Sequence, residues 1–423
     1  MQLSKISKIQ KIIGPGLLFA SNAIGTSHLI LATRAGAHYG MIFFWIIGAA
    51  LILKYPFFEF GIRYTNATGK HLLQGYKELG QWAVCLFLVV IVTAMFAVTG
   101  AIGAVCGGLL NTIFGFSSSS VSISVACILA FTSSLLIVGK YSLLDNVIKL
   151  ISIILLITVS IVFISVILDG PAHTKSLVDF NAQIGSGLGL ALTISLIGFM
   201  PTGLEISAIQ SIWSVEKIRQ TNYTPSLKES LFDFNLGYAF TSILAFMFLT
   251  IGAFTVFGSG QLLNGNSVEF SSKLLNIFSS KSGVWSYVIL SIAAFGTIYG
   301  TLIVSMDAFS RSFVLGLQTL RNSSDNHSEN QFTSYYRATI LLIAGGGFLL
   351  FKQFPGSMIN ILEAATICIF LTSPIIAFLN FKLIKHPSIP TSHQPKTWLI
   401  VLSIIGLITG IIFTLFYLYD LVK

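Results

Sequence analysis

Two stretches decide how this chain folds: Gly14-Pro15-Gly16-Leu17-Leu18-Phe19-Ala20-Ser21-Asn22-Ala23-Ile24-Gly25-Thr26-Ser27-His28, and Leu192-Thr193-Ile194-Ser195-Leu196-Ile197-Gly198-Phe199-Met200-Pro201-Thr202-Gly203-Leu204-Glu205. Each lies inside an apolar run of the ~20 residues that a membrane-spanning helix needs. Each also places glycine, proline or hydroxyl residues where that helix would be continuous. A break there strands backbone amides and carbonyls at membrane depth, which is tolerated only where they line an enclosed or watery site. The plainer alternative is a proline kink in the second stretch and an innocuous polar patch in the first. Breaks at corresponding places in two halves of a chain point instead to a substrate site at the bilayer midplane.

Outward from these stretches, apolar segments recur at 12–34, 41–61, 82–110, 119–138, 147–168, 188–213, 232–257, 284–315, 336–352, 357–381 and 397–420. The pattern predicts an all-α membrane protein of eleven transmembrane helices in one domain over 1–423. Repeats would cover about 12–168 and 188–381, each opening on a broken helix, with 397–420 as an extra helix. The ninth segment is the weakest, because Gly345-Gly346-Gly347 interrupts it. Composition agrees: 54% of the 423 residues are hydrophobic and 9% charged, with mean hydropathy +0.85, too few charges to cover a water-facing surface. Cys85, Cys106, Cys127 and Cys368 all lie in apolar stretches without metal-ligand spacing, so they read as buried small hydrophobes. The basic N-terminus followed by an apolar run has no small-residue cleavage site, so a retained first span is expected.

The net charge of +9 is not a nucleic-acid footprint, since no basic, aromatic-interleaved patch accompanies it. With eleven spans, alternate loops beginning at the N-terminus carry seventeen Lys and Arg, the opposite loops six, and Lys54 lies within a span. The positive-inside rule then predicts a plasma (inner) membrane protein with a cytoplasmic N-terminus and an external C-terminus.

Gly14-Pro15-Gly16, Ala35-Gly36, Tyr39-Gly40, Trp45 and Ala67-Thr68-Gly69-Lys70 resemble the start of the Nramp family of divalent-metal transporters. Met200-Pro201 resembles that family's Met-Pro-His in the sixth span, and Met306-Asp307-Ala308-Phe309 its Met-Glu-Gly-Phe in the eighth. The resemblance implies a LeuT-type 5+5 inverted repeat with helices 1 and 6 broken. It also implies departures. The metal-coordinating Asp-Pro-Gly-Asn falls on Gly25-Thr26-Ser27-His28, the His after Met-Pro on Thr202, and a helix-10 Gln at about Thr372. The helix-3 acids associated with proton movement fall on Ala97 and Gly100. Met200, the soft sulfur ligand, is retained.

The candidate substrate site therefore comprises Asn22, Gly25, Thr26, Ser27, His28, Ile197, Met200, Thr202 and Thr372, with Glu205 as a proton or charge carrier. His28 and Met200 are the candidate metal ligands, although a lone intramembrane His is more often a helix-to-helix hydrogen-bonding group. Asp307, four residues before Arg311, is expected to form a local ion pair. Glu363 and the Lys54/Glu59 pair are expected to snorkel. Two functions follow: a secondary transporter or facilitator of a divalent cation of the Mn, Fe or Mg class by alternating access, or a LeuT-fold transporter of a small organic or anionic solute drawn to half-helix N-termini. An enzyme is not expected, because HExxH, GxSxG and P-loop motifs are absent. The expected partners are a small ion or solute and membrane lipid, with no nucleic acid and no cofactor, on a monomer.

Overall fold

Apolar runs without water-soluble caps become helices because only a helix satisfies every backbone group within lipid. A computed structural model describes residues 11–138, 141–173, 177–178, 184–185, 187–260, 263, 267–279, 284–321, 329–354 and 358–422. The elements are α1 (Pro15–Tyr39), α2 (Phe43–Thr68), α3 (Leu72–Leu79), α4 (Gln81–Phe114), α5 (Val121–Val138), α6 (Tyr141–Asp169) and α7 (Gly187–Phe199). There follow α8 (Ile206–Thr221), α9 (Leu227–Thr255), α10 (Ser267–Ser279), α11 (Val284–Leu320), α12 (Glu329–Gln353), α13 (Met358–Ile384) and α14 (Thr397–Val422). Among the described residues, nine helices are long and apolar enough to cross a membrane, and two shorter apolar ones, Leu156–Asp169 and Gly187–Phe199, lie at the fifth and sixth expected spans. The short helices α3 and α10 were not expected.

The sixth span is interrupted as the sequence predicts: α7 stops at Phe199, α8 starts at Ile206, and the residues between are not helical. Pro201 has no N–H to continue the ladder, and Gly203 adds backbone freedom. The first span differs from expectation. It stays helical throughout, but widens into a π-helix over Ile24–Ala32. Its polar residues hold the widened turn from within, since the Ser27 hydroxyl donates to the Ala23 carbonyl and His28 Nδ1 lies 2.9 Å from the same oxygen. Wide turns of this kind recur at functional positions.

Small residues bring the helices close, as expected where lipid supplies no hydrophobic drive between them. A Cβ on Gly36 would strike the Leu249 carbonyl and one on Gly252 the Thr33 carbonyl, so α1 and α9 meet backbone to backbone. Near the start of α1, Asp233 of α9 accepts from the Gly14 amide at 3.1 Å and the Gly16 amide at 2.7 Å. The glycine run that weakened the ninth span works the same way: α12 is continuous, and a Cβ on Gly100 of α4 would lie 2.7 Å from the Gly347 carbonyl.

Four of the loops that the charge alternation groups together meet at one physical end. There Arg63 donates to the His393 and Gln394 carbonyls, Asn66 to the Pro225 carbonyl, and Lys77 to the Thr319 carbonyl. The opposite end holds Arg34 of α1 paired with Glu363 of α13, and the Met41 amide on the Leu177 carbonyl. Exposed tryptophans mark both levels, Trp82 and Trp398 at the first and Trp45 at the second, as in an interfacial aromatic belt. Between them α14 exposes Ile404, Ile405, Ile408, Ile411, Ile412 and Leu415, a face suited to lipid rather than water.

Candidate functional site

The widened turn of α1 faces the break after α7, and short polar side chains connect the two. Asn22 is the hub: its Nδ2 donates to Ser305 Oγ of α11 at 3.0 Å, and its Oδ1 accepts from Thr202 Oγ1 at 3.1 Å. Ser27 Oγ lies 3.1 Å from the Pro201 carbonyl, crossing from α1 to the break. Thr26 is fully buried, and among the described residues its hydroxyl has no hydrogen-bond partner. A buried hydroxyl left unpaired costs about 1–3 kcal/mol, so a ligand that engaged it would recover part of that. Met200 is fully buried at the start of the break, next to Pro201.

His28 is turned toward α9. Its Nε2 lies 2.9 Å from the Thr241 carbonyl, and Nδ1 lies 2.6 Å from Ser27 Oγ. Both ring nitrogens are thus engaged by protein atoms, and a metal would have to displace one of those contacts. Gly25 lies against α11, where an added Cβ would come within 2.6 Å of Thr301 Cβ. Thr301 itself donates to the Ser21 carbonyl at 2.8 Å. The position that the resemblance aligns with a metal-binding acid therefore has no room for any side chain in this packing. Thr372 is not drawn into the cluster: its hydroxyl donates to the Cys368 and Ile369 carbonyls of its own helix, each at 3.0 Å.

A residue that sequence reasoning set aside stands at the centre of the break. Lys54 does not snorkel, and it does not pair with Glu59. Glu59 is taken by Arg63, whose Nε donates to it at 2.6 Å. The buried Lys54 Nζ instead donates to the Ile197 carbonyl at 3.2 Å, Gly198 at 2.8 Å and Thr202 at 2.7 Å. The polar contribution of Ile197 is thus a backbone oxygen already held by a cation. Glu205, also buried, curls back over Gly203, and it interacts electrostatically with Lys54. The signal for Lys54 was present in the sequence, as the one basic residue inside a span that the loop alternation left unassigned. Asp307 behaves as expected: Arg311 Nε donates to its two oxygens at 2.8 and 2.9 Å, and Tyr336 adds a bond at 2.5 Å. Glu363, expected to snorkel, is held instead by Arg34. Among the described residues no three His, Cys, Asp or Glu side chains gather as a metal-ligand group.

A multi-pass helical membrane protein, with a span broken around a buried polar cluster, has the architecture of a membrane transporter. The profile of the Natural resistance-associated macrophage protein-like (Nramp) family matches residues 16–420, and the chain belongs to that family. An uncharacterized protein of Pasteurella multocida (strain Pm70) is 33% identical over 407 residues, which cover 96% of this chain and 91% of that one. A crystal structure of a variant of the Eremococcus coleocola manganese transporter is similar with a TM-score of 0.70 at 12% identity, over 98% of this chain and 88% of that chain. A nucleobase-cation-symport-1 family transporter, in a closed conformation with bromovinylhydantoin bound, is similar with a TM-score of 0.58 at 12% identity, over 96% and 92% of the two chains. These structural likenesses establish the shared LeuT-type fold.

Proposed function

We propose that the protein is a secondary transporter that moves a divalent cation of the Mn, Fe or Mg class by alternating access. Its site would lie between the π-helical turn of α1 and the break after α7. Membership of the Nramp family carries this reading, and the E. coleocola manganese transporter supports it as a protein of the same fold. The available donors are Asn22 Oδ1, the unpaired Thr26 hydroxyl, Ser27 Oγ, Thr202 Oγ1 and the Met200 sulfur. These are neutral oxygens with a single soft atom. Such a set suits a cation that keeps part of its water shell better than a fully dehydrated one. Ala97 and Gly100, small apolar residues, offer no proton acceptor in α4, so transport along that helix would carry no protons. Glu205 is the acid next to the break and the candidate for any substitute route.

A second reading, transport of a small organic or anionic solute, is favoured by one observation: among the described residues no three His, Cys, Asp or Glu side chains gather as a metal-ligand group. Isothermal titration of the purified protein with Mn²⁺ and Mg²⁺ separates the two. The metal reading expects saturable binding that weakens in Thr26→Ala and Met200→Ala. Absence of binding by the unsubstituted protein, or indifference of both variants, would remove it. Proteoliposomes containing a pH dye read proton movement, and acidification abolished by Glu205→Gln would establish a substitute route. The basic end would face the cytoplasm of the plasma membrane, with the chain acting as a monomer.

A further inference from the structure

The end of α7 has a chemical requirement that α7 cannot meet. The last carbonyls of a helix lack intrahelical partners and carry the negative end of its dipole. Here they point into a protein interior, because the chain leaves the helix at Met200 without reaching water. In helices interrupted within membranes, such carbonyls commonly hold a free cation. The occupant here is the chain's own side chain: Lys54 Nζ, from α2, lies 3.2, 2.8 and 2.7 Å from the carbonyl oxygens of Ile197, Gly198 and Thr202.

The arrangement specifies the form of that nitrogen. A neutral amine has two N–H groups and a lone pair, so three carbonyl acceptors would leave the lone pair facing an oxygen. An ammonium has three donors and no acceptor, and three carbonyls satisfy it. Glu205, also buried beside the break, interacts with it electrostatically. A buried charge is costly unless its donors are satisfied, and the three carbonyls satisfy all three donors of the Lys54 ammonium. The cradle also spans the break, since Ile197 and Gly198 precede it and Thr202 lies within it.

We propose that Lys54 is a tethered cation whose ammonium fills a monovalent-cation site built from the carbonyls of Ile197, Gly198 and Thr202. The site around the break is thereby assembled without a free co-ion, and shortening the side chain converts the cradle into a site for a soluble monovalent cation. The Lys54 side chain also borders a mostly apolar cavity of about 420 Å³ lined by Ala50, Leu53, Ile197, Phe370 and Pro374.

The test reads cation binding and not transport, so it stands or falls independently of the metal reading above. Full-length protein in detergent is titrated with NaCl, KCl, NH₄Cl and methylammonium chloride at constant ionic strength, with N-methylglucamine as the balancing cation. Thermal stability is followed throughout. The unsubstituted protein is expected to show no saturable response to any of them. Lys54→Ala is expected to lose stability in N-methylglucamine and to regain it saturably with the small cations. Lys54→Ser also leaves room for an ion, and it carries the same titration if the alanine variant does not fold. Saturable stabilisation of the unsubstituted protein by Na⁺ or K⁺ would overturn the proposal. So would a folded Lys54 variant that responds to no cation.

Discussion

Gly25 occupies the position where the Nramp resemblance places an acid, and the packing around it leaves no space for one. A Cβ added at position 25 would lie 2.6 Å from Thr301 Cβ and 2.9 Å from Thr301 Cγ2, well inside van der Waals contact. Neither neighbour is free to retreat, because Thr301 is fixed by its bond to the Ser21 carbonyl on the same stretch of α1. Overpacking of this kind costs about 1–3 kcal/mol, so Gly25→Ala is expected to lower stability by that amount. Thr301→Gly removes the opposing Cβ, at the cost of about 1 kcal/mol for its hydrogen bond and a few tenths for helix propensity. The two substitutions touch the same space and should couple by about 1–3 kcal/mol, so the double variant will be more stable than the sum of the singles allows. The assay is the thermal midpoint of the detergent-solubilised protein for all four members of the cycle. A Gly25→Ala variant as stable as the original, or strict additivity with Thr301→Gly, would refute the reasoning. If the cycle behaves as expected, Gly25→Asp in the Thr301→Gly background has room for a carboxylate. Its Mn²⁺ affinity, read by isothermal titration, should then exceed that of the unsubstituted protein.

Three further expectations come from other parts of the molecule. Removing one partner of the buried Arg34–Glu363 pair, as in Arg34→Met, should destabilise by about 3–5 kcal/mol by leaving a buried charge, and Glu363→Leu in the same chain should recover much of it. Equal midpoints for the single and double variants would contradict this. Asp233→Ala removes two charge-assisted bonds to the Gly14 and Gly16 amides, about 1.5–3 kcal/mol each, whereas Asp233→Asn retains an acceptor and should lose less. Amide exchange at the start of α1 reports it, and unchanged protection in Asp233→Ala would count against the clasp. His71, in the connection after α2, has its pKa lowered to about 4 by burial and then by the Arg219 charge. The unfolded chain therefore binds a proton that the folded one does not between about pH 6.5 and 4. Stability is full above the upper value and falls as the pH drops through that window, by up to about 3 kcal/mol. His71→Gln should flatten the pH dependence of the thermal midpoint, and an unchanged slope would show that the loss comes from other groups.

Much of this protein was determined by hydropathy and charge alone. Runs of ~20 apolar residues must become helices, since lipid offers backbone groups no other partner. The break at Met200-Pro201-Thr202-Gly203 was legible because proline lacks the N–H that a helix needs. The Asp307–Arg311 pair followed from helical spacing. The meeting of four basic loops at one end was legible in the charge alternation, because flanking charges sort to one side of a membrane. What tertiary structure decided were the contacts between residues far apart in the chain. Asn22 joins Thr202 and Ser305, and Gly25 is closed off by Thr301. His28 turns its Nε2 to a carbonyl of α9. The first polar patch widens a helix instead of ending it, because its own side chains reach back to the Ala23 carbonyl. Lys54 looked like a residue that would reach for the membrane surface, since a sequence records a charge without its partners. Only the folded chain places it on the open carbonyls of α7, where the end of a broken helix and a buried ammonium satisfy each other.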